Sequence, residues 1–447
     1  MQVDVVAARA LMADSLGFHI IFALLGVGLP LVILLIEYLG LRRKDPLILE
    51  HAKRLSQATI ILVITGVASG TLIAIQMSLM WGKLIEFGGP ILGLAFGWEG
   101  YAFMLESVFL AVYVTSWGKI KGWKHMMIGA VVAFGSLGSA FAITLSNAWM
   151  QNPTGFEIVN GVVVSQNPLG ALFSKTGLFM VTHSVIGYYL ATILCVLGVY
   201  AFYTLRYKPQ GRDQVAVRAI MLRLGAASLV FVTLVGLIGH FQTQYLATSQ
   251  PRKFAALEMV AQTTTQAPYI IGGHWTSEGT VEGGIRVPYA LSILAGNSPD
   301  TQVKGLNEFP KEDWPMLFIN TLFEVKMFLV GVIVIVPLIF VALHSSKLSK
   351  KLRDWRYKRI TLLSLLFMGP LAIIIVELGW LVAEFGRQPF AVNGYLRTAD
   401  AFSATGSVTQ WGYVFPILFI FLFIVTGTAL WLLFKRQGKV QSSKRLL

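Results

Sequence analysis

Nine stretches of this sequence are each long and apolar enough to cross a bilayer: 15–40, 56–80, 93–117, 125–148, 176–205, 219–246, 315–344, 360–384 and 410–434. A crossing helix needs about 20 mainly apolar residues. The expected fold class is therefore all-α, a polytopic helical bundle in one membrane domain spanning residues 1–447. Only 13% of residues are charged, where a soluble domain carries about a quarter.

The net charge of +14 points to orientation, not to nucleic acid. Loops after the odd-numbered spans hold 25 of the 36 Lys and Arg, and the opposite side holds 10. The positive-inside rule then places the N-terminus outside and the C-terminus in the cytoplasm. A nucleic-acid site would need a cationic patch on a compact polar domain, and none is legible. The first span reads as retained: its apolar run is too long for a leader, and Asp4 and Asp14 precede it in place of a cationic start. A single cysteine, Cys195, excludes an internal disulfide and a Cys-ligated cluster, so metal chemistry would fall to His, Met or carboxylate.

Most connections are short, but residues 247–314 form a long polar loop on the outer side. Gly272-Gly273, Gly283-Gly284, Pro288 and Pro299 predict a mostly irregular path, and loops of this length are often functional.

Ionisable residues inside spans are costly and mark function by default. His19 lies on span one, Glu99 and Glu106 on span three, and His183 on span five. Glu324, Lys326 and Met327 lie on span seven, Glu377 and Glu384 on span eight. Most lean toward the outer half. Glu99 and Glu106 are seven apart and share a helix face, a spacing suited to ligation or proton relay. Glu37, near the inner end of span one, reads as a snorkelling side chain. His240 reads as hydrogen-bonded structure, and His51, His125 and His344 as interfacial; His274, in the long loop, is ambiguous. Two histidines on separate helices, with no cysteine alternative, suit haem iron, for which imidazole and thioether are common axial ligands.

Several segments resemble cytochrome bd oxidase subunit I. Gly379-Trp380-Leu381-Val382-Ala383-Glu384-Phe385-Gly386-Arg387-Gln388-Pro389-Phe390 looks like its GW-x-x-x-E-x-GRQPW stretch, with Phe390 in place of the usual Trp. Trp98 to Ser107 resembles its double-glutamate helix, and Asn147 to Pro153 its N-x-WMQNP loop. Gln250 to Glu258 resembles the start of its quinol-binding loop, and Gly17-Phe18-His19 also matches. The likeness runs over nearly the whole chain.

That resemblance implies a terminal oxidase subunit that oxidises quinol at the outer face and reduces dioxygen to water, with protons drawn from the cytoplasm and no pump. It implies three haems: a low-spin b haem held by His183 and Met327, and a high-spin b haem and a d or further b haem held by His19 and Glu384. Glu99 would lie beside the latter pair and Glu106 would deliver protons. Trp380 would lie between haems, Arg387 near their propionates, and Lys253 and Glu258 at quinol. A second, larger membrane subunit and a single-span accessory peptide are the implied partners. One departure concerns the low-spin haem: the family often carries Arg two residues before the axial Met, where this chain has Val325, with Lys326 beside Met327. Two other readings compete. A secondary transporter would also bury polar groups near the midplane, but the polar set here leans to one face and no inverted repeat is found. An oxidase with only b haems would share these ligands, and the far-red band of a chlorin in reduced membranes separates the two.

Overall fold

Nine long helices carry the chain through residues 2–160, 162–165, 167–403 and 408–436, the parts described by this computed structural model. They are α1 Gln2–Arg43, α2 Pro46–Met80, α3 Gly82–Thr115, α4 Trp123–Gln151, α5 Lys175–Tyr207, α6 Gly211–Ser249, α7 Ile319–Ala342, α8 Arg359–Phe385 and α9 Val408–Arg436. Lys439, Lys444 and Arg445, part of the expected inner charge, lie outside the described residues. Eight of the nine are long and apolar enough to span a membrane; α3 is not among them, although its 34 residues suffice in length. Its Glu99 and Glu106 fall within the very segment that would cross, which lowers its mean hydropathy. The protein is an all-α, multi-pass membrane protein.

Local sequence sets the helix starts. Asp45 caps α2 by accepting from the Leu47 N–H at 3.0 Å, with Pro46 in the first turn. Ser174 caps α5 by accepting from the Gly177 N–H at 3.2 Å. Pro30, Pro90, Pro337, Pro370 and Pro416 all lie inside helices, as membrane helices tolerate. α5 is the central element, with two thirds of its most apolar window buried, and it packs against α1, α4, α6 and α8. α9 is peripheral, with only 11% of its window buried.

Small residues bring the helices close, as in membrane bundles generally. A Cβ on Gly135 of α4 would lie 2.8 Å from the backbone nitrogen of Glu106, and one on Gly369 of α8 would lie 3.0 Å from Cys195 Cα. Gly135→Val should therefore push α3 and α4 apart and destabilise the protein by about 1–3 kcal/mol. Thermal unfolding of the detergent-solubilised protein checks this, since an unchanged Tm would show that the contact yields freely.

The readings of Glu37, His125, His51 and His240 change. Glu37 is buried, not snorkelling: it accepts from the Tyr113 hydroxyl at 2.6 Å and bonds His125 Nδ1 at 2.7 Å. His125 is thus a buried partner of Glu37, and His51 likewise is buried against Asp213 at 3.2 Å. An apolar packing environment makes a neutral-sum pair preferable to a lone charge. His240 is exposed, with Phe241 as its ring neighbour.

The long loop also departs from expectation. It folds as a short helix Pro251–Leu257, an antiparallel hairpin Tyr269–Trp275 with Val281–Val287, and a helix Ala290–Gly296. Gly272, Gly283 and Gly284 sit within the strands at φ between 70° and 80°, so here the glycines serve strand distortion rather than irregular loop. Phe254, Ala256, Leu257, Val260, Leu291 and Leu306 form a core of its own, which closes on Ile319 of α7 and Val382 of α8. Apolar residues spaced through a polar loop supply this core.

Candidate haem and quinol site

The C-terminal ends of α4, α6 and α8 meet at one end of the bundle, beneath the long loop. Asn393 Nδ2 donates to the Gln151 carbonyl at 3.0 Å, and Arg252 donates to Asn393 Oδ1 at 2.6 Å. Three of the expected residues converge here. Glu384, in the last turn of α8, accepts from Asn147 Nδ2 through Oε1 and from Arg387 through Oε2. Arg387 also donates to the Ala391 carbonyl and is 9% exposed. Lys253 reaches inward from the helix Pro251–Leu257 and donates to Gln151 Oε1 at 2.9 Å and to the Ala383 carbonyl at 3.0 Å. Gln151 Nε2 donates to that same carbonyl at 3.0 Å. Burial pushes the Lys253 ammonium down to about 7, opposed by the nearby Glu384 charge. A carboxylate offers about four acceptor positions, so Glu384 keeps lone pairs free after its two bonds, and a quarter of its side chain is exposed.

His19 sits against α2. Its Nδ1 is 2.9 Å from Ser69 Oγ, and Ser69 Oγ is 3.0 Å from the carbonyls of Thr65 and Gly66. Carbonyls only accept, so the hydroxyl proton belongs to them and Nδ1–H donates to Ser69. Nε2 is then left with its lone pair, as a metal-ligating imidazole requires. Gly70 makes room for the ring: a Cβ there would lie 3.1 Å from His19 Cε1.

His183 is on α5 with Nδ1 buried and without a hydrogen-bond partner among the described residues. Gly239 of α6 faces the ring, where a Cβ would come within 3.3 Å of Cε1. A buried imidazole nitrogen without a donor or acceptor is rare in folded proteins, and this one is free to take a metal ion. These residues fit haem: imidazoles with available nitrogens, glycines against both rings, and a carboxylate with spare lone pairs. Met327 lies on α7 with its side chain 46% exposed; α7 packs against α6 and α8, as α5 does, so His183 and Met327 border the same helices. Trp380 Nε1 donates to the Tyr188 hydroxyl at 2.9 Å, which fixes the indole beside α5.

Glu99 and Glu106 stand two turns apart on α3. Glu99 is half-buried, and Glu106 is 5% exposed with its backbone against Gly135. Lys253 and Glu258 are not brought together by any hydrogen bond: Lys253 turns toward Glu384, while Glu258 caps the same short helix and is buried in the loop core. Burial, then the Glu324 charge, pushes Glu258 up to about 8. Ser69, Tyr188 and Gly239 were missed from sequence, because an intramembrane Ser, Tyr or Gly carries no cost that singles it out.

Comparison with known proteins identifies the family. The profile of the cytochrome bd terminal oxidase subunit I family matches residues 7–440. A Bacillus subtilis (strain 168) protein with a provisional assignment as cytochrome bd menaquinol oxidase subunit I is 35% identical over 95% of this chain and 94% of its own length. The cytochrome bd ubiquinol oxidase subunit 1 of the same organism is 30% identical, covering 98% of this chain and 94% of its own. The structure of bd oxidase from Geobacillus thermodenitrificans superposes with a TM-score of 0.90 at 32% identity, over 97% of this chain and 98% of that one. The family is haem-dependent, and its subunit I works with a second subunit. The chain therefore belongs to the cytochrome bd terminal oxidase subunit I family, and it serves a membrane oxidase that takes electrons from quinol and gives them to oxygen.

Proposed function

We propose that this subunit oxidises quinol at the outer face, beneath the loop 247–314, and reduces dioxygen to water with protons taken from the cytoplasm, so that charge separates without a pump. The unpartnered, buried Nδ1 of His183 is the observation that carries the haem reading. His183 and Met327 hold a low-spin b haem. His19 and Glu384 each hold one of two more, a high-spin b haem and a haem of d or b type. Bound haems supply the electron transfer and the oxygen chemistry, while the protein sets ligands, spacing and proton access. Arg387, held by Glu384 and the Ala391 carbonyl, keeps a cation where propionates would lie. Asn147 and Arg387 fix the Glu384 carboxylate from two sides. Trp380 is held by Tyr188 between the helices that carry the ligands. Glu106 and Glu99 pass protons along one face of α3. Lys326 compensates charge beside Met327, where the family often has Arg. The excess of Lys and Arg on one side supports an N-terminus outside and a cytoplasmic C-terminus. A larger second subunit and a single-span accessory peptide complete the assembly.

Glu258 accepts a quinol hydroxyl proton, and Lys253 steadies the site from the Glu384 side. A base must be ionised to accept, and burial, then the Glu324 charge, pushes the Glu258 carboxyl up to about 8. Quinol kcat/KM should therefore rise with pH to an inflection near 8. Glu258→Gln should flatten that rise and raise the KM for quinol, while artificial electron donors still support oxygen uptake. Quinol kinetics equal to wild type in both Lys253→Ala and Glu258→Gln would move the quinol site elsewhere.

A further inference from the structure

The loop 247–314 meets α7 at one polar junction. Asn320 and Glu324 are four residues apart and share a face of α7. Asn320 Nδ2 donates to the Gly273 carbonyl at 3.2 Å and lies 3.2 Å from Met259 Sδ, on the residue that follows Glu258. Glu324 Oε1 accepts from the Gly272 N–H at 2.9 Å. That bond uses one of about four acceptor positions on the carboxylate, and no second protein donor reaches it among the described residues. Glu258 approaches the same junction from the loop side and is 6% exposed. Neither carboxylate forms an ion pair with Lys or Arg among the described residues. Tyr269, at the start of the hairpin, shares their field: burial, then the charges of Glu258 and Glu324, push its hydroxyl up to about 12. A buried carboxylate beside a second one, with no cation paired to it among the described residues, is costly in its charged form. Glu324 also lies three residues before Met327, about 4.5 Å along the helix axis.

We propose that Glu324 is a catalytic residue of quinol oxidation: it contacts one quinol hydroxyl while Glu258 contacts the other, and each carboxylate takes one proton. This rests on the reading of the loop as the quinol site. Oxidation breaks two O–H bonds of the quinol and leaves two carbonyls. The two protons go to Glu258 and Glu324 and then to solvent. The two electrons are taken up by oxygen, the oxidant of the established reaction. The short path from Glu324 to Met327 keeps the quinol ring near the acceptor.

The test uses the whole oxidase in membranes, with short-chain ubiquinol and naphthoquinol as substrates. Glu324→Gln keeps an oxygen that can accept from Gly272 but cannot take a proton. It should lower quinol kcat by about 100-fold or more, with the reduced low-spin spectrum and donor-driven oxygen uptake unchanged. Glu324→Asp should recover part of the loss. Wild-type quinol kinetics in Glu324→Gln alongside an impaired Glu258→Gln would overturn the role of Glu324 and leave the loop site standing. Wild-type kinetics in both would overturn the loop site itself. Loss of the low-spin spectrum in Glu324→Gln would show a structural role and overturn the proposal.

Discussion

Replacing His183 with Ala, or Met327 with Leu, is expected to remove the low-spin b-haem absorbance and stop quinol-driven oxygen uptake. If these residues ligate that haem, each change deletes one axial bond and leaves the helix intact, because Ala and Leu are both strong helix formers. The two positions lie on α5 and α7, so neither substitution disturbs the other's backbone. His183→Ala also removes a buried nitrogen that has no protein partner among the described residues, so no hydrogen bond from that nitrogen to them is lost. A purely structural histidine would behave in the opposite way, with loss of stability and an unchanged spectrum. The fall in turnover should exceed the roughly 10–100-fold seen when only an outer partner of a ligand is lost. Reduced-minus-oxidised spectra of membranes check the assignment: an unaltered low-spin band in both variants would remove His183 and Met327 from that haem.

Glu106→Gln is expected to slow oxygen reduction by about 10²–10⁴-fold, the range for loss of a positioned proton carrier. The amide keeps the volume of the carboxyl, so the close contact of α3 with Gly135 should survive. Glu106 is buried, and Glu99 lies two turns away on the same face, about 10 Å along the axis. Protons bound for the oxygen site would pass from the first to the second. The KM for quinol should stay near wild type, since no ion pair among the described residues joins Glu106 to the loop. Stopped-flow oxygen reaction with a pH indicator separates the steps: haem reduction by quinol should persist while proton uptake slows. Full turnover with coupled uptake in the variant would take Glu106 off the path.

By itself the sequence determined the class of fold, because about 20 apolar residues in a row leave the chain few options in or out of water. It also determined which residues are anomalous. His19, His183, Glu99, Glu106 and Glu384 stand out in apolar runs, since each is costly there without a partner. The run Gly379–Phe390 carried the family. What neighbours those residues have was decided by the tertiary structure. Glu37 and His125 are 88 residues apart in sequence, and each looked interfacial alone; only the packing of α1 against α4 makes them a buried pair. Lys253 and Glu258, five apart, are sent to different partners because Pro251–Leu257 closes into a helix that turns one inward and leaves the other at its end. The loop's own core was invisible because its apolar residues follow no single period, and they meet only once the hairpin brings them together. The tautomer of His19 was likewise fixed by a serine 50 residues away on another helix. Composition and periodicity act along the chain, whereas a hydrogen bond or a ligand set depends on distances that only folding supplies.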